Sequence, residues 1–176
     1  MGEARRLPID HPDFFDLPPP PGRSRESGIV LDEHGRFSNA GIPIDHDAMA
    51  VAFASWIRRH PDDGRYILTN GYDWTYFKVE DVPYFVRGLG GAPGAPTLML
   101  SDQTEEPFDP LQLGVGARDA LYCWVKGGAY EARFTQAAQV ALGPYVAEGP
   151  EEQPVIRLAG RDTIVAARNE RPPLRL

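Results

Sequence analysis

Three groups of residues have side chains of the right type and spacing to do chemistry. Glu80-Asp81 is a pair of adjacent carboxylates, the kind of group that serves as a general base. Neighbouring residues on a strand point to opposite faces, so the two cannot readily share a proton or a metal ion. Asp81, two residues before Pro83, reads instead as a turn former, with Glu80 solvated or paired to an arginine. Asp45-His46-Asp47 offers three metal-ligating side chains in a row. A zinc site needs three or four donors converging at about 2 Å, whereas His11, His34, His46 and His60 are scattered and Cys123 stands alone. Helix capping accounts for both aspartates, and no metal and no cofactor is expected. The third group is aromatic. Tyr72, Trp74 and Tyr76 with Lys78, and with Arg36 and His46 brought near, would mix π-faces and cations as a shallow ligand pocket does. Core and subunit interfaces enrich the same residues.

Other catalytic signatures are absent. No G-x-S-x-G element frames Ser24, Ser27, Ser38, Ser55 or Ser101. Cys123 lies within LYCWV, where a lone cysteine reads as a small buried hydrophobe. The glycine-rich stretch 88–94 carries proline and lacks the Lys-Ser/Thr ending of a phosphate loop.

The elements that must position these residues centre on an amphipathic segment, Asp45 to His60. Met49, Ala52, Phe53, Trp56 and Ile57 follow the spacing of one buried helical stripe. The spacing predicts a helix over 45–60, capped by Asp45 or Asp47, with Arg58, Arg59 and His60 complementing its negative end. A hairpin turning at Gly35 precedes it, and strands RYILTN, WTYFKVED and PYFVRGL follow. In WTYFKVED, Thr75, Phe77 and Val79 face one way, as cover for the helix, and Trp74, Tyr76 and Lys78 the other. The second half shows a hairpin at LYCWVK-GG-AYEARF, a short helix in TQAAQVALGPYV and a hairpin at VIRLAG-RDTIVAA. The fold class predicted is α+β, with antiparallel sheets wrapped around two helices in a repeated hairpin-helix-hairpin motif. Its parts are an extended proline-rich segment over 1–27, a first motif over 28–89, a second, strand-rich motif with its helix over 97–168, and a tail over 169–176. Residues 90–96 read as a linker or long turn, and Phe14 and Phe15 are apolar enough to pack.

Composition bounds the rest. The chain has 176 residues, a net charge of −7 and 42% hydrophobic residues. Acidic balance argues against a nucleic-acid partner. No apolar run approaches the roughly 20 residues of a membrane-spanning helix, and MGEARRLPIDHPDFF lacks the apolar core of a secretory signal. Arg6 stands where a myristoylation signal wants Ser or Thr. With one cysteine no intrachain disulfide forms. These features point to the cytoplasm.

Gly35-x-Phe37, then Gly41-Ile-Pro-Ile44 with Met49 and Phe53, then Val79-Glu-Asp-Val-Pro-Tyr-Phe85 resembles the bacterial domain-of-unknown-function family 1285 (DUF1285). The second half, EPFDPLQL and LYCWVKGGAYEARF, looks closer to uncharacterised protein family 0598. His46 stands where DUF1285 usually carries Arg, and TNGYDW where it carries T-P-x-E. The resemblance implies an α+β fold with repeated helix-plus-sheet motifs, and for function only a suggested signalling or ligand-binding role. The expectation is a cytosolic module that binds a small molecule or a protein, through Arg36, His46, Tyr72, Trp74, Tyr76, Lys78, Glu80 and Asp81. No residue is assigned a catalytic role, and a homodimer is expected because Trp74, Tyr76 and Trp124 are aromatic surface to cover. The alternative is a hydrolase or transferase using Glu80 or Asp81 as base with His46 as partner.

Overall fold

A computed structural model of the chain describes residues 7–171. Expectations that fall on 1–6, Arg6 among them, and on 172–176 lie outside the described residues. The chain divides into two compact units, the first ending at Asp81 and the second beginning at Val82.

The first unit holds β1 (Glu26–Leu31), β2 (Phe37–Asn39), β3 (Ile42–Pro43), α1 (Asp47–Trp56), β4 (Ile57–Arg59), β5 (Tyr66–Thr69) and β6 (Trp74–Val79). Its sheet has the order β3-β2-β1-β6-β5-β4. Each half is an antiparallel meander, and β1 joins β6 in parallel. Between β1 and β2 the chain turns at Gly35, where φ is +79° and the side chain of Asp32 accepts from the backbone N–H groups of His34 and Arg36. A residue with a Cβ resists that φ, and glycine does not.

The central helix is shorter than its periodicity predicts, and differently capped. It runs from Asp47 to Trp56, and Nδ1 of His46, neither neighbouring aspartate, accepts from the Met49 N–H at 3.3 Å. Ile57-Arg58-Arg59 leaves the helix and pairs with β5. Ile57 is completely buried there, opposite Leu68. A β-branched residue gains more from such a half-built sheet than from one further helical turn. The stripe is correspondingly incomplete. Ala54 is the buried residue of α1, Phe53 and Trp56 are half-buried, and Met49 is 46% exposed. His60, expected as a charge at a helix end, is instead buried among rings, with Phe15 at 5.0 Å and Trp74 at 4.8 Å between centroids.

The two faces of β6 divide as the alternation predicts. Phe77 is buried on one side near Phe37, while Trp74 and Tyr76 share the other, edge to face at 5.1 Å. That second face is covered from within the chain. Phe14 is fully buried in a cluster with Leu7, Ile67 and Trp74, flanked by Phe15 and Leu17. Arg25 ties this segment down. Its guanidinium donates to Asp73 Oδ1 and the Trp74 carbonyl at 2.5 Å each and to the Leu17 carbonyl at 2.7 Å, lying 4.3 Å above the Trp74 ring.

The second unit holds β7 (Tyr84–Ala92), β8 (Ala95–Leu100), β9 (Glu105–Pro107), β10 (Leu113–Val115), β11 (Leu121–Val125), β12 (Tyr130–Phe134), α2 (Gln136–Leu142), β13 (Val146–Glu148), β14 (Pro154–Leu158), β15 (Arg161–Ile164) and β16 (Ala166–Ala167). The stretch 90–96 is the tip of the β7–β8 hairpin. Strand β7, placed by sequence within 28–89, pairs with β8 and β12 in this unit. Its sheet runs β16-β10-β11-β12-β7-β8-β9, and β13-β14-β15 form a separate sheet. Thr135 caps α2, and Ala138 and Leu142 are its buried residues.

From β9 to β10 the second large sheet reproduces the strand order of the first, with β7 and β12 as its parallel seam. The helices do not follow suit. Helix α1 lies between the third and fourth strands, whereas a single 3-10 turn, Pro110–Gln112, takes that place in the second unit and α2 follows the sixth strand. The shared pattern is therefore a strand order, and the expected hairpin-helix-hairpin repeat is not seen. The sheets are open and mostly antiparallel, with parallel pairs at β1/β6, β7/β12 and β10/β16.

Two polar networks pin the second unit. Lys126 donates from Nζ to Asp102 Oδ2 at 2.7 Å, and its backbone N–H donates to the Glu106 carboxylate. Near the C-terminus, Arg168 and Arg171 both pair with Glu131, and Arg171 also lies 5.1 Å from the Trp124 ring. Trp124 thus has cover from its own chain. No helix among the described residues is long and apolar enough to cross a membrane.

Candidate ligand-binding cleft of the first unit

The incomplete burial of α1 leaves a space. On the face of the sheet that carries Leu68 and Thr75, an opposed pair in the β5–β6 ladder, a cleft of about 450 Å³ opens beside Phe53 and Trp56. That volume falls within the range of small-molecule sites, roughly 300–1,000 Å³. The apolar wall comes from Ile29, Phe53, Trp56 and Leu68, with the Phe53 and Trp56 rings 5.6 Å apart.

Segment 20–27, Asn39 and the β5–β6 turn supply a polar rim. The turn is built by Asn70, whose Oδ1 accepts from the N–H groups of Tyr72 and Asp73 at 3.0 Å each. Its amide hydrogens have no partner among the described residues. Both carboxylates of the rim are engaged: Asp73 with Arg25, and Glu26 with Arg65 at 2.8 and 2.9 Å. The Glu26 carboxyl is held below its usual value by the hydrogen bonds from Arg65. Arg23 has no ionic partner among the described residues. Two buried donors have no acceptor among the described residues, Arg25 Nε and Trp74 Nε1, but the Trp74 ring lies with Phe14 and Ile67 on the opposite face of the sheet, with the Arg25 guanidinium over it. Unmatched buried donors are rare and mark strain, unseen water or a missing ligand.

Of the eight residues singled out from sequence, Trp74 lines this cleft. Tyr76 lies against Trp74 on the face covered by the N-terminal segment, with its hydroxyl donating to Asp63 at 2.8 Å. Tyr72 is 65% exposed at the turn. Arg36 is exposed and paired with Asp32 at 3.0 Å, in the first hairpin. His46 is spent on the helix cap. Lys78 lies 3.4 Å from Glu80, whose N–H continues the seam to the Leu31 carbonyl, and Asp81 closes the unit. The residues that complete the cleft, Phe53, Trp56, Arg23, Arg25 and Asn70, gave no motif. The signal that bears on them is that α1 has more aromatic surface than ten residues of helix can bury against a four-residue strand. Among the described residues no group of three metal-ligating side chains converges.

No family model matches this chain, and no curated protein matches it significantly. Among solved structures, a DUF1285 family protein from Silicibacter pomeroyi DSS-3 superposes with a TM-score of 0.61 at 16% identity, covering 82% of each chain. A DUF1285 family protein from Shewanella baltica OS155 gives 0.51 at 20% identity, over 65% of this chain and 88% of that one. At such identity the likeness is one of architecture: the chain has the fold of the DUF1285 proteins.

Proposed function

We propose that the first unit is a small-molecule-binding module whose site is the cleft between α1 and the sheet. The observation that carries this reading is the half-covered aromatic wall of Phe53 and Trp56 in a cleft whose rim holds Arg23, Asn39 and Asn70. A folded domain leaves two neighbouring rings half-covered beside a polar rim at few places, and functional sites are where local rules are broken. A signalling role fits such a module, since occupancy of the cleft would bring α1 and the arginine-tied segment 20–27 under one ligand. The competing reading, a hydrolase or transferase with Glu80 or Asp81 as base and His46 as partner, asks His46 to abandon Met49 N–H at the helix start. A positively polarised helix N-terminus also disfavours an imidazolium there.

The test is a thermal-shift screen of a chemically diverse small-molecule set on the wild type and on Trp56→Ala. Ligands that stabilise the wild type and lose their effect in Trp56→Ala are expected. Hits that survive Trp56→Ala undiminished would place binding elsewhere and defeat the reading.

A further inference from the structure

Resting on the binding role just proposed, the charge balance of the cleft identifies the class of its ligand. Four charged side chains line it: Arg23, Arg25, Glu26 and Asp73. Asp73 is neutralised by Arg25, and Glu26 is neutralised from outside the lining by Arg65. Arg23, in the exposed run 21–24, is left at the rim as a positive charge with no ionic partner among the described residues. The uncharged polar groups lean the same way. Asn70 has its oxygen occupied by the turn, and its exposed amide hydrogens have no partner among the described residues. The cleft therefore offers donors and positive charge, beside walls of indole and phenyl ring.

We propose that the cleft takes a planar aromatic molecule bearing an anionic oxygen group, a carboxylate or a phosphate ester. Its ring lies against Trp56 and Phe53 and its anion meets Arg23. Ring against ring supplies the apolar contact, and an arginine–oxyanion pair supplies a charge-assisted hydrogen bond of fork geometry. A cationic aromatic would leave Arg23 repelled and the spare donors unmet.

Calorimetric titration with 2-naphthoate, 2-naphthyl phosphate and neutral 2-naphthamide tests this on the full chain, on Arg23→Gln and on Trp56→Ala. Arg23 is exposed, and among the described residues its hydrogen bond is the backbone one from its N–H to the Pro20 carbonyl, so Arg23→Gln is expected to fold. At least one anion should bind about fivefold or more tightly than the amide, the gain of one ion pair at a half-open site. Which anion does so separates carboxylate from phosphate recognition. The preference should shrink with salt and vanish in Arg23→Gln. Equal binding of anion and amide, both lost in Trp56→Ala, would overturn the anion assignment and leave the cleft as a neutral aromatic site. An anion preference that survives Arg23→Gln would overturn the role of Arg23. No binding by any probe, or binding indifferent to Trp56→Ala, would overturn this proposal and the binding role together.

Discussion

Phe14→Ala tests whether the N-terminal segment is part of the first unit's core. Phe14 is completely buried, edge-on to Phe15 at 5.0 Å and clustered with Ile67 and Trp74. Burying a phenyl ring contributes about 1.5–3 kcal/mol by transfer alone. Removing it leaves a cavity as well, and Phe→Ala in cores costs about 3–5 kcal/mol. The cluster here is flanked by half-buried Phe15 and Leu17, which can settle inward, so the lower end of that range applies, about 3 kcal/mol. Urea unfolding followed by tryptophan emission measures this, in a Trp124→Phe background so that Trp56 and Trp74 report the first unit alone. The midpoint should fall with the slope unchanged. Phe15→Ala, removing a half-buried ring, should cost less. A loss below about 1 kcal/mol for Phe14→Ala, the size of a surface change, would refute the reasoning and leave residues 7–17 as a loose cover.

Trp56→Ala should cost only about 1–2 kcal/mol by the same unfolding assay, well short of the roughly 3–5 expected of a fully buried ring, because the structure leaves it half-exposed. Lys126→Met should destabilise by about 3 kcal/mol at neutral pH, since it strands the Asp102 carboxylate, 6% exposed, without its cation. Burial alone would raise the Asp102 pKa, but hydrogen bonds from Lys126 and Thr104 outweigh it and hold it below 3.8. The stability it contributes is complete above that value and is lost as pH falls through the lower folded one. Denaturation curves across the acid range should therefore slope less in Asp102→Asn than in the wild type. Burial pushes the Cys123 thiol up to about 12, so a thiol reagent at pH 8 should label it only as fast as the second unit opens, and rapid labelling of folded protein would contradict its burial.

Much of the local structure was legible because its causes are local. Gly35 marks a turn that needs positive φ, and alternation along WTYFKVED sorts Phe77 from Trp74 and Tyr76. The end of α1 was not, because two local signals conflict there. Arg58, Arg59 and His60 are good last-turn residues, while Ile57 prefers a strand, and the decision falls to Leu68, eleven residues further on. The parallel seams had no local signature at all, since β1 and β6 lie about fifty residues apart with no single turn joining them. The candidate site was legible only at Trp74. The cleft exists because a helix and a strand fail to cover one another, and such a mismatch is a property of the assembled sheet.

Those seams have a consequence for how the chain comes to be folded during its synthesis. Each large sheet is two short meanders joined at one line, and that line lies between the first and sixth strands made. A meander without its partner keeps one edge of unpaired N–H and C=O groups exposed. When a ribosome has released β1 to β5, β1 still has an open edge, which stays open until Trp74–Val79 emerges. Closing a loop of that length carries an entropy penalty that only the finished seam offsets, so acquisition of structure by each unit should be abrupt and late. The Ser27 hydroxyl, donating to the Tyr76 carbonyl at 2.6 Å, bridges the two meanders. A translational pause between Asp73 and Asp81 would hold the first unit at its most aggregation-prone length.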